Sequence, residues 1–458
     1  MQVRCQQVFA AMIVLCAMAW APQAFPQAQA PLSMKQAVAI AMEKNPLRKA
    51  ALAERKAASA DVRGARSVLL PQVNFTESAM RGDDPVYAFG TRLRQTRFTT
   101  ADFALSQLNF PAPIDNFTTR FGTRWNLFDS FASWMNLSRT EKLDKAAGER
   151  LARADQETVF RVVQAYYGLL LAMKQQQLAE QTLQAAQATL SDAQNRFQSG
   201  LAVESDALAA QANTAARQQE LISAKNAVAI GQAQLAVALG VPADTAYEPI
   251  EEPGERPLPP SVDLAQAEKL ALEQRPDLRQ LNLERGATAQ GVRMAKAAFG
   301  PHLNAYAQWE ADNPTFLAGG GGNNWVGGLE LQVDLFDGGQ KAAQLARARA
   351  LEERVTALQQ AAADGVRLEV RKAYYDADTA RETIEVARAA VRQAEESLRI
   401  TRNRYTAGLA TMTDLLRAEQ AAGHSRTDYW QAVCGYRTAY ASLELAMGQL
   451  TANSPAAQ

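Results

Sequence analysis

With 458 residues, 48 basic and 48 acidic side chains and a net charge of zero, the chain has room for two or three domains and no positive surplus to recruit nucleic acid. Its two histidines, His302 and His424, show no metal-ligand spacing, and the glycine run at 319–322 lacks the Lys-Ser/Thr of a phosphate loop. The acid pairs Asp83-Asp84 and Glu251-Glu252 fall where a loop and a linker are expected, so the sequence offers no catalytic constellation, cofactor or metal site.

The chain begins with Arg4, an apolar run over 8–21, Pro22 and small residues up to Ala30, the layout of a secretory signal peptide over 1–30 with cleavage between 24 and 30. The run is too short to span a bilayer, and no later stretch approaches ~18 consecutive apolar residues, so a helical membrane protein is not expected. Cys16 follows Leu15 inside the run, which does not suit a lipid-anchored cysteine. Removal of the signal takes Cys5 with Cys16 and leaves Cys434 without a partner for a disulfide.

Ser33 is placed to cap a helix that breaks at Asn45-Pro46, and a second helix runs from there to Leu70-Pro71. The same layout returns from Asp263 through Arg275-Pro276 to Gly300-Pro301. Alternation of period two follows each pair. In the later copy Leu303, Ala305, Ala307 and Trp309 alternate with polar residues, and Leu329, Leu331, Val333 and Leu335 do so after turn-like residues at 319–324. In the earlier copy Val73 and Phe75 rise, and Phe121, Trp125 and Leu127 descend. The intervening 81–116 reads as an irregular, exposed loop, given Gly82-Asp83-Asp84-Pro85 and the prolines 111 and 113.

Beyond Asp129 and Asp337 the period becomes helical, without proline over 131–198 and 340–406. At about 1.5 Å per residue the first such helix approaches 100 Å. Ile384, Ala387, Val391, Ala394 and Leu398, with Leu183, Ala186 and Leu190 in the earlier copy, form coiled-coil seams. Gly200 and Gly408 then stop the helices, and Ser205 or Asp206, and Thr413 or Asp414, stand where the returning helices need caps. Each site is the tip of a long antiparallel helical hairpin whose second arm ends at Gly240 or Gly448.

These correspondences make the chain a tandem duplication. Both tips read N-R-aromatic-x-x-G-L-A-x-x-x-D-x-L, over 195–208 and 403–416. Leu127-Phe128-Asp129 and Leu335-Phe336-Asp337, Ala165-Tyr166-Tyr167 and Ala373-Tyr374-Tyr375, Gly200 and Gly408, and Gly240 and Gly448 all stand 208 residues apart. Upstream, Pro46 and Pro276, Val62-Arg63 and Val292-Arg293, and Pro71 and Pro301 stand 230 apart, so the first copy holds 22 extra residues between Pro71 and Leu127. The copies span 31–248 and 262–458, with a proline- and acid-rich linker at 249–261.

Four amphipathic strands cannot close a membrane barrel, which takes at least about 8, so several copies of the chain must contribute. The duplicated strands, helices and G-L tips resemble the outer membrane efflux protein family, the TolC-like channels of Gram-negative bacteria, over nearly the whole mature chain. The resemblance implies an α+β membrane protein in the outer membrane. It implies a homotrimer sharing a 12-stranded β-barrel in outer-membrane lipid, continued by a long α-helical barrel through the periplasm. Such a protein is a passive exit duct for an inner-membrane pump joined through a periplasmic adaptor, and not an enzyme.

On that resemblance Arg196, Gly200, Leu201, Arg404, Gly408 and Leu409 match the adaptor-docking tip, although glycine C-caps and turn-closing leucines explain the same residues structurally. Asp206 and Asp414 are candidates for the periplasmic mouth or for helix caps. Arg417 stands where family members often carry a further acid, a departure that weakens the case for a cation-binding acidic ring. Tyr166, Tyr167, Tyr374 and Tyr375 read as interhelical packing. The alternative function is a periplasmic coiled-coil adaptor or scaffold, which leaves the amphipathic strands and Trp125 and Trp309 near their ends unexplained.

Overall fold

The structure, a computed structural model, describes residues 30–250, 262–316 and 322–457. The expected signal peptide up to residue 29, the linker from residue 251 and the glycine run at 319–321 lie outside the described residues. In chain order the elements are β1 (Ala30–Leu32), α1 (Met34–Lys44), α2 (Pro46–Ser67), β2 (Gln72–Gly82), α3 (Pro85–Arg94), a 3-10 turn (Thr100–Phe103), α4 (Leu105–Asn109), β3 (Ile114–Phe128), α5 (Ala132–Gln198) and α6 (Glu204–Leu239). They continue with β4 (Tyr247–Pro249), α7 (Leu264–Gln274), α8 (Pro276–Ala297), β5 (His302–Asn313), β6 (Gly322–Gln332), α9 (Gln340–Thr406), α10 (Met412–Ala446) and a closing 3-10 turn (Pro455–Ala457). The chain divides into two compact units, one of residues 1–47, 155–267 and 370–458 and the other of residues 48–154 and 268–369.

Among the described residues the first unit is helical apart from one short parallel pair, in which β1 runs beside β4. Its core gathers Met34 and Val38 of α1, Val159, Val162, Tyr166 and Leu169 of α5, Leu235 and Leu239 of α6, and Tyr440 and Leu445 of α10. The Tyr166 hydroxyl shares its proton between the carbonyls of Leu32 and Ile250, each at 3.0 Å, so this tyrosine seals the strand pair as well as packing between helices. Tyr167 is buried with it, whereas Tyr375 is exposed. Gly240 ends α6 at φ +76°, and a Cβ there would stand 2.6 Å from the Asn45 Cα at the break between α1 and α2. Asn45 holds that junction by donating to the Ala238 carbonyl (2.9 Å) and accepting from the Leu47 amide (2.9 Å).

Near the C-terminus Glu444 is buried, and one of its carboxylate oxygens has no hydrogen-bond partner. Burial pushes its pKa up to about 7, opposed by a hydrogen bond from the Ala456 amide.

The second unit holds an antiparallel sheet in the order β2-β3-β5-β6, backed in sequence by α2 and α8 and the first parts of α5 and α9. The two hairpins meet through β3 and β5, with a register shift between Asn126 and Phe128. At the break between α7 and α8 the solution differs from that at Asn45. Arg275 is buried and clasps Asp277 through two bonds (3.0 and 2.6 Å) and Glu369 through a third (2.7 Å). The pair and hydrogen bonds with Arg275 hold Asp277 below the usual carboxylate range despite burial.

Two expectations are corrected, and one strand pair is added to them. The segment 81–116 is not an irregular loop. It contains α3, whose start is capped by the Asp84 carboxylate accepting from the Tyr87 amide (2.9 Å) with Pro85 at the first helical position, and then a 3-10 turn and α4. Proline and paired acids signal a helix start as readily as a loop, and here they start a helix. The last strand spans Gly322–Gln332, so Asn323 and Asn324 pair within it, and Val333 and Leu335 lie beyond it. β1 and β4 were not expected at all, because three residues are too few to show a period.

Two measurements test this packing. Gly240→Ala is expected to lower stability by about 2–5 kcal/mol, the sum of a left-handed residue and an overpacked contact, read as a shifted denaturation midpoint in detergent. For Glu444 the folded pKa lies above the unfolded one. Its contribution is therefore complete below the unfolded pKa near 4.5 and is lost as pH rises through about 7, by up to about 3 kcal/mol. Glu444→Gln is expected to raise the melting temperature at pH 8 and to leave it unchanged at pH 4.5.

Candidate functional site at the helical tips

Both tips end their outgoing helix in the same way. The Leu201 amide donates to the Arg196 carbonyl (2.8 Å) and the Gly200 amide to that of Phe197 (2.9 Å), with Gly200 at φ +69°. Leu409 and Gly408 repeat this on Arg404 (2.8 Å) and Tyr405 (3.0 Å), with φ +75° at Gly408. This is the Schellman arrangement, in which a left-handed glycine lets two terminal carbonyls be satisfied. It throws the following leucine outward, and Leu201 and Leu409 are 78% and 68% exposed.

The returning helices start differently. Thr411 caps α10: its hydroxyl accepts from the Asp414 amide (3.2 Å), and the Asp414 carboxylate accepts from the Thr411 amide (3.1 Å) and hydroxyl (2.7 Å). The cap is thus two residues earlier than the expected Thr413, and Asp414 serves it from the third helical position. In the first copy Val203 occupies the cap position without a side-chain bond, so neither Ser205 nor Asp206 caps α6. The signal was present as T-x-x-D at 411–414, a capping box that Val203 breaks in the other copy.

The two arginines also divide their work. The Arg196 guanidinium lies over the Tyr405 ring, 5.0 Å from its centroid, donates to the Thr406 carbonyl (3.4 Å) and pairs with Asp192 (3.0 Å). It therefore ties the first tip to the carboxyl end of α9, where unsatisfied carbonyls favour a cation. Arg404 turns back on its own tip and donates to the Leu409 carbonyl (3.3 Å). Tyr405 is buried with Ala193, Ala210, Met412 and Leu415, whereas its counterpart Phe197 is exposed. Burial pushes the Tyr405 hydroxyl up, Arg196 opposes this, and the charges of Asp192 and Asp206 add to it. Glu419, which the sequence reading missed, accepts from Thr189 (3.1 Å) and Arg402 (3.1 Å) and joins α5, α9 and α10 one layer above.

Asp206 and Asp414 are consequently unlike. Hydrogen bonds from Thr411 hold the Asp414 carboxyl below the usual range, with Arg417 and Arg404 adding to the effect. Its charge serves the cap and is met by two cations, and exposed Arg417 supplies one of them.

The family model for "Outer membrane efflux protein" matches residues 38–241 and 268–449, covering both tips and the sheet. The chain belongs to the outer membrane efflux protein family. It is 27% identical over 424 residues to the alkaline protease secretion protein AprF of Pseudomonas aeruginosa, spanning 90% of this chain and 83% of that one. Protein CyaE of Bordetella pertussis is 27% identical over 429 residues, 92% of this chain and 84% of that one. The Campylobacter jejuni CmeC outer membrane channel shares the fold at a TM-score of 0.78 and 18% identity, with 92% of this chain and 87% of that one covered. The protein is an outer-membrane component of an efflux or secretion system that reaches into the periplasm, and the adaptor alternative is not supported.

The tip geometry generates an asymmetric expectation. Arg196→Ala is expected to lower hydrogen-exchange protection of the Gly408 and Leu409 amides about fivefold, through a cross-tip contact worth roughly 1 kcal/mol. Arg404→Ala should leave the Leu201 amide unchanged.

Proposed function

We propose that three copies of this chain assemble into a single duct through the outer membrane and periplasm, and that the helical tips receive a periplasmic adaptor joined to an inner-membrane pump. The observation that carries this reading is the apolar face of the sheet. Phe75, Phe121, Trp309 and Trp325 are successive cross-strand partners, so one aromatic row crosses all four strands, with rings 5.2 and 5.9 Å apart at its first two steps. On one side of this row the same face carries Glu77, Arg81, Asp115 and Asn323. On the other it carries Val73, Ala305, Ala307, Leu303, Leu329 and Leu331 as far as Phe128. From Phe121 to Phe128 is about 23 Å along the strand, comparable with the ~25 Å apolar band of an outer-membrane barrel.

The opposite face carries Arg120, Arg124, Gln308, Tyr306 and Asn304 and suits a hydrated lumen. β2 and β6 each have one edge without a partner strand within the sheet, and three such sheets joined edge to edge make a closed ring of 12 strands. In this reading the copies at 31–248 and 262–458 each supply one hairpin and one helical pair, in keeping with α5 and α9 at 67 residues each and α2 and α8 at 22 each. The residues ahead of a cleavage point between 24 and 30 are removed on export, and the stretch that follows β4 links the copies. The duct is passive, and the pump supplies energy and selects substrate. The names of AprF and CmeC, one a secretion protein and the other an outer membrane channel, fit an exit duct.

Exposed Leu201 and Leu409 on rigid glycine turns provide the docking knobs, positioned by Arg196 and Arg404. Asp206, Asp414 and Arg417 line the periplasmic mouth, and with Arg417 beside Asp414 that mouth is not a purely acidic ring. Protein purified in detergent is expected at trimer mass and with discrete conductance steps in planar bilayers; a soluble monomer without conductance would reject the duct. Gly408→Pro and Leu409→Asp are each expected to preserve trimer mass and abolish export, and normal export in both would remove the docking role from the tip.

A further inference from the structure

The folded insertion between β2 and β3 has a core of its own. Phe89, Phe98 and Phe103 meet edge to face at 4.7, 5.1 and 6.4 Å. Arg92 pairs with Asp102, whose carboxylate also accepts from the Thr99 amide (2.7 Å) and hydroxyl (2.9 Å). α3 ends in a Schellman turn closed by Thr96 at φ +56°, a left-handed conformation that a β-branched residue keeps only when its surroundings enforce it.

Those surroundings are the polar face of the sheet. Arg94 bonds Glu310 of β5 (3.1 Å), which also holds Arg120 of β3 (2.8 and 3.1 Å). Gln95 is 2% exposed and donates to the Asp115 carbonyl (2.8 Å) and the Asn116 side chain (2.9 Å). Asn116 in turn donates to Asp312 (2.6 Å), which Thr118 also reaches (2.9 Å). On β6 the Arg94 carbonyl comes so near Gly322 that a Cβ there would lie 1.8 Å from it. α3 thus crosses β3, β5 and β6 on the face opposite the aromatic row, at the end of the strands next to the β2–β3 turn, and buries Glu310 and Asp312 beneath it.

We infer that residues 83–113 form a lid lying inside the outer mouth of the channel, latched by Arg94, Gln95, Glu310 and Arg120, and that this lid sets the largest solute able to leave. The inference rests on the duct reading, in which the polar face lines the lumen. Glu310, shared by two arginines from different segments, is the release point: without its charge both cations lose their common partner while the strands stay paired. A polypeptide or bulky solute leaving through the mouth must displace the lid, whereas ions and small solutes pass beside it.

The test places a thiol below the lid with Tyr306→Cys, on the polar face about 13 Å from Glu310 along the strand. Intact cells are treated from outside with a small charged methanethiosulfonate or with a maleimide carrying a bulky polymer. Gly82 and Ile114 are cross-strand partners, so residues 83–113 can be exchanged for a two-residue Asn-Gly turn. The small reagent is expected to label every variant. The bulky one should label the full-length protein slowly, and about tenfold or more faster after the exchange and in Glu310→Gln, the shift produced by losing one charge-assisted hydrogen bond.

Equal bulky labelling before and after the exchange overturns the lid. Should the exchanged protein fail to reach the membrane, Arg94→Ala and Glu310→Gln decide, and unchanged bulky labelling in both overturns it. No reaction of the small reagent in any variant means that Tyr306 does not face an open lumen, which removes the duct orientation and the lid with it.

Discussion

A four-stranded sheet in a membrane has two open edges, and lipid offers their amides and carbonyls nothing to bond. Leaving such groups unpaired costs several kcal/mol each, more than any side-chain contact in this sheet returns. The proposed joining of β2 to β6 of a neighbouring copy follows from that penalty. In that proposal the single chain is an incomplete object, with the aromatic row and aliphatic band facing outward and the arginines and amides facing inward. Oligomer, lumen and lid orientation all depend on that assignment.

The helical part obeys a softer rule. Long helices rich in alanine pack closely, but seam residues such as Ile384, Val391 and Leu398 are only half buried within one chain. Burial is complete where short elements add to the helices, around Met34, Tyr166, Leu239 and Leu450. There the fold is fixed by close approaches such as Gly240 on Asn45 and by the shared hydroxyl of Tyr166. Toward the tips packing thins to a small cluster around Tyr405, and polar contacts take over. Few apolar contacts and many polar ones at the tips are in keeping with the proposed docking role.

Motifs that recur 208 or 230 residues apart in the sequence differ in what they do. Asn45 and Arg275 hold equivalent helix breaks, one through backbone bonds and the other through a buried ion cluster. Arg196 reaches across to the other tip while Arg404 stays on its own. Asp414 completes a cap for which Asp206 has no threonine. A ring built from several copies would therefore alternate two kinds of tip, and a partner docking there meets two surfaces.

Periodicity in the sequence determined the long helices almost to the residue, the glycine stops and the hairpin strands, because these follow from local backbone preference and from one face being apolar. The offsets of 208 and 230 exposed the repeat with no structural knowledge. Short strands and contacts between distant segments were decided only in three dimensions. Nothing local distinguishes Leu32 and Pro249 as paired strand residues, or ties Arg94 to Glu310 across 216 positions. The segment 81–116 marks the boundary: its turn-forming residues were visible, but whether they opened a loop or capped a helix depended on a sheet face that only the fold brings beneath them.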